Sequence, residues 1–145
     1  MEEEFKPLIV TFCCWWCAYG AADLAGTSKM DYPRNIRIIR VPCSGRVDPL
    51  HILSAFKQGA DGVMVEGCLR DGGCHYIDGN MKAEKRINSL KEQLEGIGLG
   101  KDRLEMYFMS AGEPDKFVKA AEEFYERIKK LGPSPLKNKQ ATGLH

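Results

Sequence analysis

Four short apolar runs, rich in β-branched and bulky side chains, recur along the chain and predict β-strands. They are Leu8 to Cys13, Ile36 to Val41, Gly62 to Glu66 and Leu104 to Met109. Segments with apolar residues three and four positions apart separate them, so strands and helices alternate. The first and third runs are apolar enough for strands covered on both faces of a sheet.

Helix start and stop signals support this alternation. Asp48-Pro49 provides an N-cap and a first-turn proline for a helix that ends at Gly59. Ser110 and Glu113 resemble a capping box before the last helix, which Gly132-Pro133 ends. The last two helices carry apolar stripes at helical spacing, namely Ala83, Ile87, Leu90, Leu94 and Ile97, and then Phe117, Ala121, Phe124 and Ile128.

Strands joined by helix-length connections run parallel, with right-handed crossovers. The sequence therefore predicts an α/β fold, a three-layer sandwich with a four-stranded, mostly parallel sheet. The flavodoxin-like strand order 2-1-3-4 is favoured, and 3-2-1-4 stays open. Residues 1–132 are predicted to form one domain, and residues 133–145 a flexible tail because they hold few apolar groups.

Charge and hydropathy narrow the classes of partner. The chain has 21 Lys and Arg against 20 Asp and Glu, without a basic stripe interleaved with aromatic residues, so nucleic acid is not an expected partner. No apolar run is long enough to cross a bilayer, and the acidic start at Met1 to Lys6 does not resemble a signal peptide. We therefore expect a cytoplasmic protein whose partner is another protein or a small molecule.

The placement of six cysteines is the main chemical signal. In a reducing cytosol, clustered cysteines more often bind metal or act in catalysis than form structural disulfides. Every cysteine follows one of the first three predicted strands, as Cys13, Cys14 and Cys17, then Cys43, then Cys68 and Cys74. Carboxyl ends of parallel strands meet at one edge of a sheet, where such folds bind ligands.

The ordinary alternative is that these cysteines are small buried apolar residues, which is common for a single cysteine. Six of them at one edge, with none in the helices, argues against that interpretation for the group. Cys13 is the exception, because it still belongs to the strand pattern and must point away from Cys14. The candidate ligands are therefore Cys14, Cys17, Cys43, Cys68 and Cys74.

Three chemistries suit five such thiols. Cys14-Trp15-Trp16-Cys17 is a C-x-x-C at a strand-to-helix junction, which is typical of a dithiol oxidoreductase but leaves the other three cysteines unexplained. Structural zinc needs four thiolates, although Cys68 and Cys74 are more widely spaced than in a zinc ribbon. A 2Fe-2S cluster also needs four thiolates and accepts them from different loops.

Four longer motifs point to one family. "FCCWWCAYGAADLAGTSKMDYP", "NIRIIRVPCSGRVDP", "AFKQGADGVMVEGC" and "CHYIDGNMKAEKRI" together resemble the delta subunit of methyl-viologen-reducing hydrogenase. The likeness runs from about Pro7 to Gly132. The chain departs from the family in its two tryptophans, where one is usual, and in a third cysteine loop that is one residue longer and lacks a His-Pro pair.

The resemblance implies a 2Fe-2S electron carrier of methanogen hydrogen metabolism, with no substrate turnover of its own. It implies two partners. One is a nickel-iron hydrogenase, through its small subunit, or a formate dehydrogenase in its place, and the other is heterodisulfide reductase, through its flavin-containing subunit. The family's cysteine positions match Cys14, Cys17, Cys43, Cys68 and Cys74, of which four would bind iron.

Overall fold

The computed structural model describes residues 5–14, 18–27, 35–68 and 79–136, and strands and helices alternate through them as predicted. Short 3-10 turns at Ser44–Arg46 and Lys101–Arg103 interrupt two connections. The strands and helices, in chain order, are β1 (Ile9–Cys14), α1 (Ala18–Thr27), β2 (Ile36–Val41), α2 (Pro49–Lys57), β3 (Gly62–Gly67), α3 (Gly79–Gly96), β4 (Leu104–Phe108) and α4 (Pro114–Leu131).

The four strands form one parallel sheet in the order β2-β1-β3-β4. This confirms the predicted α/β sandwich and its 2-1-3-4 order, and 3-2-1-4 is excluded. Near its carboxyl end, β1 pairs Cys14 with Val41 of β2 and Cys13 with Glu66 of β3. The three strands that precede the cysteine loops are therefore direct neighbours.

Successive side chains of each strand point to opposite faces of the sheet and contribute to two apolar layers, one on each face. One layer packs against α2 and α3 and includes Phe12, Val63, Val65, Ile52 and Ile87. The opposite layer packs against α1 and α4 and includes Ile9, Met64, Phe124 and Ile128. Among the helices that the structure describes, none is both long and apolar enough to cross a bilayer.

The predicted helix ends are correct for α2 and partly wrong elsewhere. Asp48 caps α2 by accepting from the Leu50 N–H at 2.8 Å, and Pro49 is its first residue. Helix α3 ends at Gly96, so Ile97, which we placed on its apolar stripe, is 72% exposed. The stripe ends with the helix because the chain turns at Gly98, where φ is +87°, and Leu99 rather than Ile97 returns to the core.

The predicted capping box before α4 forms a turn instead. The Glu113 carboxylate accepts from the Ser110 N–H at 3.0 Å and from its hydroxyl at 2.9 Å. The helix nevertheless begins at Pro114, with Glu113 as its N-cap residue. Proline suits the first helical position because its missing N–H would have no partner there, so the helix begins three residues later than a cap at Ser110 would imply.

Arg103 holds together the end of the sheet opposite the cysteines. Its guanidinium donates to the carbonyl oxygens of Leu99, Asp61, Gly132 and Pro133 at 2.9–3.2 Å. The side chain is buried. One arginine thus joins the starts of β3 and β4 to the end of α4.

The Asp61 side chain extends this network to both ends of the described chain. Its two carboxylate oxygens accept from the Leu8 N–H at 2.8 Å and from the Ser134 N–H at 2.9 Å. Leu136 packs against the core next to this segment. Residues 137–145 lie outside the described residues, so the flexible tail stays a prediction.

The Arg103→Lys variant tests this network. Lysine keeps the charge but cannot match the planar five-donor fork, so buried carbonyl oxygens lose donors, and we expect a loss of about 2–3 kcal/mol of unfolding free energy. Urea unfolding of the full-length chain measures this loss, with Arg37→Lys, at an exposed position of β2, as the matched control. A loss below about 0.5 kcal/mol would show that the fork is not needed.

Candidate functional site

Three of the five candidate cysteines come together at the carboxyl edge of the sheet. Cys14 is the last residue of β1, Cys68 directly follows β3, and Cys43 comes two residues after β2. All three are buried and belong to one apolar core cluster, which also contains Cys13. Parallel pairing of adjacent strands explains this, because it brings strand ends that are distant in sequence to the same edge.

The sulfur atoms of Cys14 and Cys68 lie 3.7 Å apart, although the residues are separated by 54 positions. A disulfide would bring them to about 2.05 Å, so they are two thiols in contact. Two thiolates on one tetrahedral metal ion, each about 2.3 Å from it, lie about 3.8 Å apart. The pair therefore already has the spacing of two ligands to one metal ion.

Backbone N–H groups point at two of the sulfurs. The Ala18 N–H, at the first residue of α1, donates to Cys14 Sγ at 3.3 Å, and the Gly45 N–H donates to Cys43 Sγ at 3.4 Å. A helix N-terminus and donated N–H groups stabilise negative charge on sulfur. Both cysteines are therefore placed to serve as thiolates.

Asn80, at the start of α3, holds the Cys68 segment. Its buried side chain donates to the Cys68 carbonyl oxygen at 3.0 Å and accepts from the Met81 N–H at 2.9 Å. The amide thereby ties the residue after β3 to the N-terminus of α3. Sequence reasoning missed Asn80, because a single asparagine after a glycine has no pattern that separates it from an ordinary turn residue.

The segment that carries Cys43 is fixed to α3 as well. Arg86 donates to the carbonyl oxygens of Gly45 and Val47, both at 2.9 Å. A Cβ atom built on Gly45 would lie 3.0 Å from the Cα and carbonyl oxygen of Gly79, so glycine permits this close approach. The 3-10 turn and α3 are therefore in direct backbone contact.

Ser44 lies between these two fixed segments. It is 1% exposed, and its hydroxyl has no hydrogen-bond partner among the described residues. A Cβ atom built on Gly67, the residue before Cys68, would lie 2.7 Å from Ser44 Oγ. The hydroxyl therefore sits between the segments of Cys43 and Cys68. The sequence offered one signal for it, its position within Cys43-Ser44-Gly45.

Strand alternation directs Cys13 to the opposite side of β1 from Cys14, although both thiols belong to one apolar cluster. Its thiol donates to the Glu66 carboxyl at 3.9 Å, and both side chains are fully buried. Burial raises the pKa of Glu66 to about 8, although the hydrogen bond from Cys13 lowers it. Burial and the neighbouring Glu66 raise the pKa of the Cys13 thiol well above its usual range. Sequence reasoning missed Glu66, a charged residue inside an apolar run.

The remaining candidates fall outside the described residues. These are Cys17 with its neighbours Trp15 and Trp16, and Cys74 in the loop 69–78. Within the described ranges, no group of three or more His, Cys, Asp or Glu side chains is gathered for a metal ion. The set of four ligands therefore stays a prediction. Within it, the structure gives the distance between one pair of sulfur atoms, those of Cys14 and Cys68.

Comparison with known proteins identifies the relatives of the chain. A family model described as methyl-viologen-reducing hydrogenase, delta subunit, matches residues 9–132. The iron-sulfur subunit of the F420-non-reducing hydrogenase from Methanocaldococcus jannaschii is 53% identical over 131 residues, which cover 90% of this chain and 97% of the relative. The corresponding iron-sulfur subunit from Methanopyrus kandleri is 51% identical over 133 residues, covering 92% and 98%.

A second kind of relative is much longer. A ferredoxin:CoB-CoM heterodisulfide reductase subunit of Methanosarcina mazei is 48% identical over 141 residues. The match covers 95% of this chain but 18% of the relative. A domain similar to this chain is therefore one part of that longer polypeptide.

The buried carboxyl group gives a pH-dependent stability that Glu66→Gln removes. Between pH 4.5 and about 8 the unfolded chain has lost the Glu66 proton while the folded chain keeps it. The folded state binds more protons, so stability falls as pH rises, by up to about 1.4 kcal/mol per pH unit. Below pH 4.5 both states are protonated, and the contribution levels off.

Urea unfolding at pH 5, 6 and 7 under reducing conditions measures this slope. We expect the Glu66→Gln chain to gain stability over the unsubstituted chain as pH rises. Glu92→Gln, on the exposed face of α3, is the matched control and should leave the slope unchanged. Parallel curves for the Glu66→Gln and unsubstituted chains would show that the carboxyl group is ionised in the folded protein.

Proposed function

Because the chain belongs to the methyl-viologen-reducing hydrogenase delta-subunit family, we propose that it carries electrons through a 2Fe-2S cluster held at the carboxyl edge of its sheet. In this proposal residues 1–132 form the iron-sulfur domain of a cytoplasmic complex. The chain relays electrons and turns over no substrate of its own.

The contact between Cys14 and Cys68 is the observation that carries the proposal. The sulfur atoms of Cys14, at the end of β1, and of Cys68, directly after β3, lie 3.7 Å apart, which matches two ligands of one tetrahedral ion. The residues present therefore fit an all-cysteine cluster, with four ligands drawn from Cys14, Cys17, Cys43, Cys68 and Cys74. When bound, the cluster supplies reversible one-electron transfer.

The surroundings favour iron-sulfur over the alternatives from sequence. A dithiol oxidoreductase would use Cys14 with Cys17, and it gives no role to the contact between Cys14 and Cys68. The spacing of this pair suits zinc as well as iron. The relatives are named iron-sulfur subunits, which favours iron. The backbone N–H groups that donate to Cys14 and Cys43 would also help to set the reduction potential of a cluster.

Strand geometry supports leaving Cys13 out of the ligand set. Successive side chains of a strand point to opposite faces, and the Cys13 thiol is bonded to Glu66 beneath α1 and α4. Cys14, one position later, meets Cys68 at the rim. The two neighbouring thiols share one apolar cluster but have different partners, Glu66 for Cys13 and Cys68 for Cys14.

The relatives suggest the two partners. Those that match along their whole length are named as hydrogenase subunits, which favours a nickel-iron hydrogenase, acting through its small subunit, as one partner. A formate dehydrogenase could take its place, as the family resemblance implies. The matching domain within the Methanosarcina reductase favours heterodisulfide reductase, through its flavin-containing subunit, as the other, because domains joined in one polypeptide are held side by side. We propose that electrons pass between these two through the cluster.

Metal and sulfide analysis of the full-length chain, purified without oxygen, tests the cofactor. We expect about two iron atoms and two acid-labile sulfides per chain, with visible absorption that bleaches on reduction. One zinc atom per chain and no visible absorption would instead identify the structural-zinc alternative, in which the chain is a zinc-bound interaction module. A colourless chain without metal whose Cys14 and Cys17 cycle between dithiol and disulfide would identify the oxidoreductase.

Single Cys→Ser variants test the ligand set. Cys14→Ser and Cys68→Ser should lose most of the bound iron, since each removes one thiolate of the paired site. Cys13→Ser is the matched control, because it changes the neighbouring thiol on the other face and should keep its iron and visible spectrum. Loss of iron from Cys13→Ser but not from Cys14→Ser would reverse the assignment of the two residues.

A further inference from the structure

The Ser44 hydroxyl makes no hydrogen bond to any of the described residues. It is buried and without a hydrogen-bond partner among them, an arrangement that destabilises a folded chain unless another group satisfies it. The hydroxyl therefore needs a hydrogen-bond acceptor or donor that the described residues do not provide.

The position of the hydroxyl indicates the kind of partner. Ser44 directly follows Cys43, and its oxygen faces the backbone of Gly67, which precedes Cys68. A Cβ at Gly67 would lie 2.7 Å from this oxygen, so the lack of a side chain there makes room for it. The hydroxyl thus lies between two segments that carry proposed iron ligands.

The turn that carries Ser44 is held in place independently of any ligand. Arg86 donates to the carbonyl oxygen of Gly45 within the turn and to that of Val47 directly after it, and the backbone of Gly45 lies close to that of Gly79. The Val47 N–H also donates to the Ser44 carbonyl oxygen at 3.1 Å. The backbone that carries the hydroxyl is therefore held in place, and the burial of Ser44 restricts where its side chain can point.

We propose that Ser44 is a positioning residue that donates a hydrogen bond to a sulfur atom of the cluster and thereby raises its reduction potential. This proposal rests on the proposed function. Reduction adds one electron to the cluster and its sulfurs become more negative, so a donated hydrogen bond stabilises the reduced form more than the oxidised form. The Ser44 proton stays on its oxygen, and no bond is broken.

A redox titration of the loaded, full-length chain tests the proposal, with the reduced fraction followed by absorption and electron paramagnetic resonance. Ser44→Ala and Ser44→Gly both remove the hydroxyl. At a fixed ambient potential we expect each to lower the ratio of reduced to oxidised cluster about tenfold, equivalent to about 59 mV for a one-electron couple. Ser44→Thr keeps the hydroxyl and should restore most of this ratio.

Ser89→Ala on the exposed face of α3 is the matched control and should not shift the titration. Two results would overturn the assignment of Ser44 alone, namely an unchanged ratio in loaded Ser44→Ala and Ser44→Gly, or loss of iron from both, which would give Ser44 a structural role in the turn. An unsubstituted chain without iron would overturn the proposed function and this proposal together.

Discussion

The parallel pairing of β1 with both β2 and β3 is the constraint on which the site depends. It places the ends of three strands side by side, so that Cys14 and Cys68 meet across 54 positions of sequence. No local motif could achieve this, because the C-x-x-C segment alone contains neither Cys43 nor Cys68. The sheet order therefore determines which thiols can share a metal ion.

The helices add a second requirement, which is electrostatic. The proposed all-cysteine cluster would carry net negative charge that the buried edge of a sheet cannot solvate, so fixed dipoles would have to replace water. The first N–H of α1 meets Cys14, and the N-terminus of α3 is tied to Cys68 through Asn80. Both helices thus present the positive ends of their dipoles to the same rim, as a direct consequence of the strand-to-helix order.

The sequence was sufficient for features whose pattern extends over several residues. Apolar runs located all four strands to within one residue at either end, and the strand order predicted that Cys14, Cys43 and Cys68 lie at one edge of the sheet. Ile97 was misplaced because periodicity does not report where the backbone stops being helical. Ser44, Asn80 and Glu66 could not be predicted in this way, because each owes its role to a neighbour on another segment. Such roles become visible only when the distances between segments are known.

The division between Cys13 and Cys14 shows how closely the ligand set depends on packing far from the rim. Strand alternation directs Ile9, Thr11 and Cys13 to one side of β1 and Val10, Phe12 and Cys14 to the other, and the two thiols meet one apolar cluster at the end of the strand. A slip of one residue in β1 would exchange the two faces, set Cys13 at the rim and turn Phe12 out of its core. Burial of Phe12 and Ile9 resists that slip, so the apolar residues upstream select which thiol reaches the site.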